Sequence, residues 1–452
     1  MESMVLVPCY NIESLDNDIT IETGLPCSFP LNDENFNSQC DIILGPRGVI
    51  KIKAEIQFDI RNHDSYISAM LKPMDFKLDG KNIQVHILSF LGSDNFGTVS
   101  DLGRATITFT PLKSTFLFKG DERTKLTKVI FHIFDFKNKI GTTPDFAPQG
   151  YSVWVTELMS TEWKVELQTA RQSVERNGLY PVLTHIGCLS RIDGSTFEGY
   201  EAQQMLEKLD LFLTFCHGTF CNPLLPVGFN EEEKPEKLVW AMGNSLKPAV
   251  NFLKSWCDPL SPQHMVQLFS NFMLKLEDKQ WEETFNSVVY WYARSNNVWA
   301  IGMDTAIVLS QIAMEKLSYE YAVNVKKMIS DDGFTKLSAS DELRLLYANL
   351  DIPIESPPEF LKIQGIAKQN NLKFDDSFHF LTNFRNNIVH PKHKHQEFFS
   401  SLYVEAYDLS LWYLELAILK LCDYDETYVN RLSAQRVGQV ENVPWRHSNL
   451  VS

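Results

Sequence analysis

The sequence lacks the signatures of several common enzyme classes. It has no Gly-x-x-x-x-Gly-Lys loop to cradle nucleotide phosphates, no Gly-x-Ser-x-Gly elbow and no His-Glu-x-x-His pair. P-loop nucleotide hydrolysis, α/β-hydrolase chemistry and zincin-type proteolysis are therefore not the expected activities. Its eight cysteines are scattered, with no Cys-x-x-Cys pair among them. That pattern fits reduced, structural thiols in a cytoplasm better than a disulfide framework. Met1 to Pro8 has no basic n-region, and the longest apolar stretches are broken by charges, so neither a signal peptide nor a membrane span is expected. Repeats and low-complexity tracts are missing too. Positive charge is in deficit, with a formal net charge of -15. Affinity for nucleic acid comes mainly from neutralising phosphates, so any RNA has to be met by a local basic pocket and not by the whole surface.

What is present is a composition of ordinary folded proteins, 44% hydrophobic and 22% charged, which makes disorder the wrong default. A chain of 452 residues is too long for one core, and two or three domains are expected. The front reads as strands. From Ile50 to Ile60, Ile50, Ile52, Ala54, Ile56, Phe58 and Ile60 alternate with Lys51, Lys53, Glu55, Gln57 and Asp59, the period of a half-buried strand. Further β-like runs are Ile83–Leu88, Ala105–Phe109, Val129–Phe136, Tyr151–Thr156, Trp163–Leu167 and Val182–Ile186, separated in places by turn-rich segments such as Leu78-Asp79-Gly80. An antiparallel sheet or sandwich is the simplest architecture for that succession.

The period changes near Glu201, where Met205, Leu209, Phe212 and Cys216 fall at helical spacing and Gly218 is placed to end the helix. After Ser261 the pattern predicts helices over Gln263–Leu276, Trp281–Ala293, Trp299–Leu317, Ser340–Asn349, Pro358–Gln369, Asp376–Val389 and Gln396–Cys422. The fold class expected is α+β multidomain: a β-rich sensing or regulatory domain over 1–195, a helical connector over 196–260, a helical domain over 261–440 and a tail over 441–452.

One constellation carries chemistry. In Asn383-Phe384-Arg385-Asn386-Asn387-Ile388-Val389-His390-Pro391, the apolar stripe Phe378, Leu381, Phe384 and Ile388 makes a helix capped by Asp375 or Asp376. Pro391 disfavours helical geometry at His390. Positions five apart on an unbroken helix diverge by about 140°, so the helix ending is what lets Arg385 and His390 converge. Phosphodiester cleavage needs a proton carrier near neutral pH and a fixed cation for the phosphorane oxygens, tasks suited to histidine and arginine. Spacing alone is a weak signal, because about one such Arg–His pair arises by chance in a chain of this composition.

The context is more specific. Arg-Asn-Asn-Ile-Val-His-Pro resembles the Arg-polar-x-x-x-His signature of the HEPN superfamily, in which the motif precedes the last long helix of the bundle. Such a helix follows here, around Tyr403 to Leu416. Its continuation through Leu416–Asp425 and then Tyr428-Val429-Asn430-Arg431 is similar to ApeA-type HEPN proteins of bacterial anti-phage defence. The likeness extends more faintly through Tyr290-Trp291-Tyr292-Ala293-Arg294, Met303–Ile307 and Leu183–Gly187. The resemblance implies an all-α HEPN bundle and a metal-independent endoribonuclease that cuts host RNA such as tRNA in abortive infection. It assigns proton transfer to His390, phosphate binding to Arg385 and an orienting polar role to Asn386.

In such sites an acid from an earlier helix orients the arginine, and Asp304 holds the matching position. Asp304, Gln311 and Glu315 align on one helical stripe, which either faces Arg385 or forms a solvated edge. Lys392, His393 and Lys394 are the candidate RNA-binding patch, or else a solvated loop. The interleaved lysines argue against a metal there, and no cofactor is expected. The helix from Leu409 to Leu421 is apolar on nearly every side, which together with the resemblance implies a homodimer. A phage-derived trigger at the N-terminal region is the remaining expected partner. Two other classes stay open: a non-enzymatic HEPN dimerisation scaffold, and a carbohydrate- or peptide-binding β-sandwich with a structural helical tail.

Overall fold

A computed structural model of the chain describes residues 5–10, 12, 15–31, 34–45, 48–59, 72–93, 102–111, 116–118, 123–136, 143–146, 152–170, 181–240, 254–369, 373–390, 399–433 and 438–446. The chain forms two compact units, and neither is continuous in sequence. Unit 1 comprises Met1–Asp135, Ala170–Gln204 and Asn222–Pro248; unit 2 comprises Phe136–Thr169, Met205–Cys221 and Ala249–Ser452. Among its described residues, the segment 196–260, expected as a helical connector, holds one helix and three strands.

In unit 1, strands β1 (Ile19–Leu31), β2 (Glu34–Gly45), β3 (Val49–Asp59), β4 (Met74–Leu78), β5 (Lys81–Ser93) and β6 (Leu102–Pro111) close into a barrel in the order β1-β2-β3-β6-β5-β4. The expected alternation is there: Ile52, Ala54 and Ile56 of β3 are buried while Glu55 and Gln57 are exposed. The β4–β5 hairpin turns through Asp79 and Gly80, whose φ values are 46° and 83°, the paired positive dihedrals of a type I′ turn. Closure comes from antiparallel pairing of β4 with β1, Cys27 opposite Leu78. Inside, the rings of Phe29, Phe76 and Phe109 meet with centroids 4.8–5.3 Å apart. The sandwich alternative is thus corrected to a barrel for these strands. Alternation reports only that one face is buried, which holds for both architectures.

Unit 1 also contains β7 (Phe116–Phe118), β8 (Lys125–Leu126), β9 (Lys128–Phe134), β13 (Leu183–Arg191), β14 (Phe197–Glu198), β15 (Leu224–Phe229) and β16 (Pro235–Trp240). Of these, β13, β9, β15, β16 and β7 are neighbours in that order within a sheet. His132 on β9 is fully buried. Its Nε2 accepts from the Cys9 amide at 3.1 Å, and its Nδ1 lies 3.1 Å from the Leu225 carbonyl. This arrangement calls for the neutral Nδ1–H tautomer, and burial pushes the imidazole down to about 4.

Unit 2 contains an antiparallel meander of β10 (Thr143–Phe146), β11 (Ser152–Met159) and β12 (Trp163–Thr169). To it belongs the C-terminal part of α1 (Gly199–His217). The helices that follow are α2 (Gln263–Lys275), α3 (Lys279–Asn296), the short α4 (Val298–Ile301), α5 (Met303–Tyr319), α6 (Asp331–Phe334), α7 (Ala339–Asn349), α8 (Leu361–Gln369), α9 (Ser377–Val389) and α10 (Tyr403–Leu421). A π-helical turn, Glu320–Val325, continues α5. Asp278 caps α3, Ser338 caps α7 and Asp376 caps α9, each side chain accepting a backbone N–H of the first turn.

α5 packs against α3, α7, α9 and α10. Its Gln311 donates to the Leu381 carbonyl of α9 at 2.5 Å, and its Ser310 bonds Ser410 of α10 at 2.9 Å. Tyr347, Phe378 and Tyr413 of α7, α9 and α10 form a ring cluster with centroids 4.6–5.1 Å apart. α10 is buried along almost its whole length, from Leu409 to Leu419. Part of the cover is this chain's own C-terminal segment: Trp412 Nε1 donates to Tyr428 at 3.0 Å, and Lys420 lies over the Trp445 ring at 5.2 Å. The all-round apolar character of α10 is therefore met within one chain, and it supplies no separate argument for a second copy.

Candidate functional site

α9 ends as its sequence predicts. The helix closes at Val389, and His390 turns extended at φ -103°, ψ 139° while its N–H still reaches the Asn386 carbonyl at 3.0 Å. That ψ is the one a following proline demands. His390 is exposed, and among the described residues its imidazole has no hydrogen-bonded or charged partner. Pro391, Lys392, His393 and Lys394 lie outside the described residues.

Arg385, one turn back, is half-buried with 26% of its side chain exposed. Its Nη1 donates to Asn386 Oδ1 at 3.3 Å, and its Nη2 stands 3.8 Å from Glu315 Oε2 on α5. Its Nε is buried and unpaired among the described residues. Arg385 and Asn386 are thus brought together. Arg385 and His390 share one helix end, and no hydrogen bond joins their side chains.

The acid facing Arg385 is Glu315. Asp304 is exposed in the first turn of α5, where its Oδ1 accepts from the Thr305 amide at 2.8 Å. Glu315 lies eleven residues further along, about 16 Å up a helix at 1.5 Å per residue. The stripe of Asp304, Gln311 and Glu315 therefore divides. Its C-terminal part meets α9, and its N-terminal end is the solvated edge. Burial raises the Glu315 carboxyl above its ordinary range, and Arg385 draws it partly back. Glu342 on α7 is raised by burial and by repulsion from Glu315, again opposed by Arg385. The Arg385 guanidinium thus lies beside Glu315, with both nearby carboxyls raised by burial.

A second polar cluster carries no motif. Glu415 on α10 and Arg431 have fully buried side chains. Arg431 donates Nε to Glu415 Oε2 at 2.9 Å and Nη2 to Oε1 at 2.5 Å. Tyr292 of α3 donates its hydroxyl to Glu415 Oε1 at 2.6 Å. Asn296 Oδ1 accepts from both guanidinium Nη atoms at 3.3 Å. Two sequence segments noted separately, around Tyr292 and around Arg431, thus meet at one carboxylate. The available signal was Glu415 itself, since an acid inside an otherwise apolar helix has to find a buried partner. The cluster is saturated with internal bonds, which marks it as structural.

Fold and site together define an α+β protein with a β-rich front that includes a six-stranded barrel and a helical C-terminal region. No helix among the described residues is long and apolar enough to cross a membrane. Residues 278–442, which include Arg385 and His390, match the model of the YopA C-terminal domain, and residues 121–247 match that of the YopA central domain. The barrel strands lie ahead of both matches. The chain is also similar to the SPbeta prophage-derived uncharacterized protein YopA of Bacillus subtilis (strain 168), at 25% identity over 388 residues, covering 82% of this chain and 83% of the relative.

Proposed function

We propose that the helical region is a HEPN-type, metal-independent endoribonuclease with Arg385 and His390 as its working pair. The observation that carries this reading is the end of α9. An exposed imidazole with no partner among the described residues shares a helix end with a half-buried arginine whose Nε is unpaired there and whose acid neighbour Glu315 has its carboxyl raised by burial. His390 takes the proton from the RNA 2′-hydroxyl as it attacks the adjacent phosphorus. Arg385, oriented by Glu315 and linked to Asn386, stabilises the phosphorane oxygens. No group of three or more His, Cys, Asp or Glu able to hold a metal occurs among the described residues, and the scheme assigns the nucleophile to the RNA itself. The prophage origin of the Bacillus relative suits the role implied by the HEPN resemblance, in which RNA cleavage halts growth during phage infection. A homodimer pairing two such helix ends in one cleft belongs to the same proposal.

The test is cleavage of RNA by the full chain in EDTA, with the ends analysed. The expected products carry 2′,3′-cyclic phosphate and 5′-hydroxyl, and are lost with His390→Ala, with DNA or with a 2′-O-methyl at the cut site. Cleavage that needs a divalent ion and leaves 5′-phosphates overturns the mechanism. A second reading, a non-catalytic HEPN scaffold, is favoured by the lack of a hydrogen bond between the Arg385 and His390 side chains. It predicts no cleavage by wild type and partner binding indifferent to His390→Ala.

A further inference from the structure

The second half of α3 presents a face of mixed chemistry. Ser287, Tyr290, Trp291 and Arg294 stand at i, i+3, i+4 and i+7, which places them on one side of the helix, and all four are half-buried. The rest of the helix faces the core through Phe285, Val288, Val289, Tyr292 and Ala293. α5 packs alongside. Its Lys316 Nζ donates to Ser287 Oγ at 3.1 Å and lies over the Trp291 ring, 5.8 Å from the centroid. Further along α3, the Arg294 guanidinium carbon is 5.2 Å from the ring centroid of Phe220 and 5.3 Å from that of Tyr290, and the two rings are 5.8 Å apart. Guanidinium and rings thus close a triangle, with Phe220 supplied by the segment that follows α1.

We propose that Phe220, Tyr290, Trp291, Arg294 and Lys316 form a docking strip for single-stranded RNA, with two stacking positions for bases and two cations for the phosphates. Arg294 and Lys316 each lie over aromatic rings, and neither forms an ion pair among the described residues. That is notable in a chain where 57 acidic residues outnumber 42 basic ones and an acid partner is easily found. The Lys316 ammonium gives one of its three N–H groups to Ser287 and keeps two. The Arg294 Nε is buried with no partner among the described residues. A cation held on a ring and not neutralised by a carboxylate keeps its charge for a phosphate. Unpaired bases stack on half-exposed aromatic rings and on guanidinium planes alike.

A duplex hides its base faces, so the strip selects unpaired strands. Lys316 directly follows Glu315, whose Oε2 is 3.8 Å from Arg385 Nη2, so the strip and the Arg385 contact flank the same turn of α5. The exposed Glu283, one turn before Ser287 on α3, bounds the strip. The choice of RNA rests on the ribonuclease reading above, whereas stacking and charge need only a single strand.

The test measures binding of a mixed-sequence 2′-O-methyl oligoribonucleotide to the full chain across a salt series, so that affinity is read apart from cleavage. Arg294→Gln and Lys316→Gln should each lower the slope of log K against log salt by about 0.7, one phosphate contact on a single strand. Trp291→Leu should weaken binding about ten-fold at unchanged slope, the loss of one stacked base, and should leave the affinity for a duplex of the same sequence unaltered. Wild type carries an independent readout, so a misfolded variant does not shield the proposal: a 4-thiouridine strand cross-linked by light to the native chain should map to peptides holding Phe220, Tyr290 or Trp291. Cross-links confined to other segments, unchanged slopes in both cation variants, or an equal fall with Lys275→Gln, where a cation lies over Trp281 outside the strip, overturn it. Binding through the strip without cleavage of unmodified RNA refutes the ribonuclease reading and leaves the strip. Cleavage by Trp291→Leu and Lys316→Gln with unaltered KM refutes the strip and leaves the ribonuclease.

Discussion

Replacing Arg431 with alanine removes the principal partner of a carboxylate that has no access to water. Among the described residues Glu415 would keep only the Tyr292 hydroxyl as a donor, while the Asn296 side-chain oxygen would lose both guanidinium bonds. Breaking a fully buried pair by deleting one ion costs about 3–5 kcal/mol. For a domain of ordinary size that lowers the melting temperature on the order of 10 °C. Calorimetry of the full chain, following the transition that carries unit 2, measures it. The double replacement Glu415→Leu with Arg431→Met separates lost attraction from stranded charge. With both charges gone it should recover most of the loss, because an apolar pair of similar volume replaces a buried salt bridge at little penalty. A shift under about 2 °C for Arg431→Ala, or a double variant as poor as the sum of the singles, would refute the argument.

His390→Ala should abolish RNA cleavage while changing stability by less than about 1 kcal/mol, the range for exposed sites away from packing features; a large fall in melting temperature would make His390 structural. Glu315 has its folded-state carboxyl raised by burial, so the folded state holds a proton more readily than the unfolded one. Stability from this group is therefore greatest at low pH and falls as pH rises through its folded value, and Glu315→Gln should stabilise at neutral pH while slowing cleavage. An unchanged denaturant midpoint with unchanged cleavage would contradict both halves. His132 is depressed from 6.5 to about 4 by burial, so its contribution is complete above pH 6.5 and is lost as pH falls towards 4, by about 3 kcal/mol in all. Urea midpoints of wild type and His132→Asn, compared across that window, should converge on acidification; parallel curves would show that His132 does not titrate as described.

The strand alternation of Ile52, Ala54 and Ile56 was readable because a half-buried strand writes its period locally. The barrel was not, since its closure depends on Cys27 meeting Leu78 across half a hundred residues of chain. β1 also hides itself with Gly24, Pro26 and Pro30 inside the strand, residues that usually mark strand ends. Most helices after Ser261 were legible in place and length to within a few residues, but Gly302 interrupts the one expected from Trp299, the one expected from Gln396 starts at Tyr403, and the short helix Asp331–Phe334 was not expected. Arg385, Asn386 and His390 stood out by their types and by the following proline. The acid facing them did not, because Asp304 and Glu315 occupy the same helical stripe and only the depth at which α9 crosses α5 chooses between them. Glu415 was visible in the sequence as an oddity, but its partner Arg431 lies beyond the helix and carries no periodic signal.

The interleaving of the two units gives this chain an unusual history at the ribosome. Unit 2 begins at Phe136 and is complete only with residues after Ala249. At about 5–20 residues per second, its first strands emerge roughly 15–60 s before the last residues that complete it. Within that interval the meander β10–β12 waits for α2, the helix that packs on β11. Any pause in translation between β12 and α2 lengthens the wait. The same order means that α9 and its Arg385–His390 end are made after every strand of the meander.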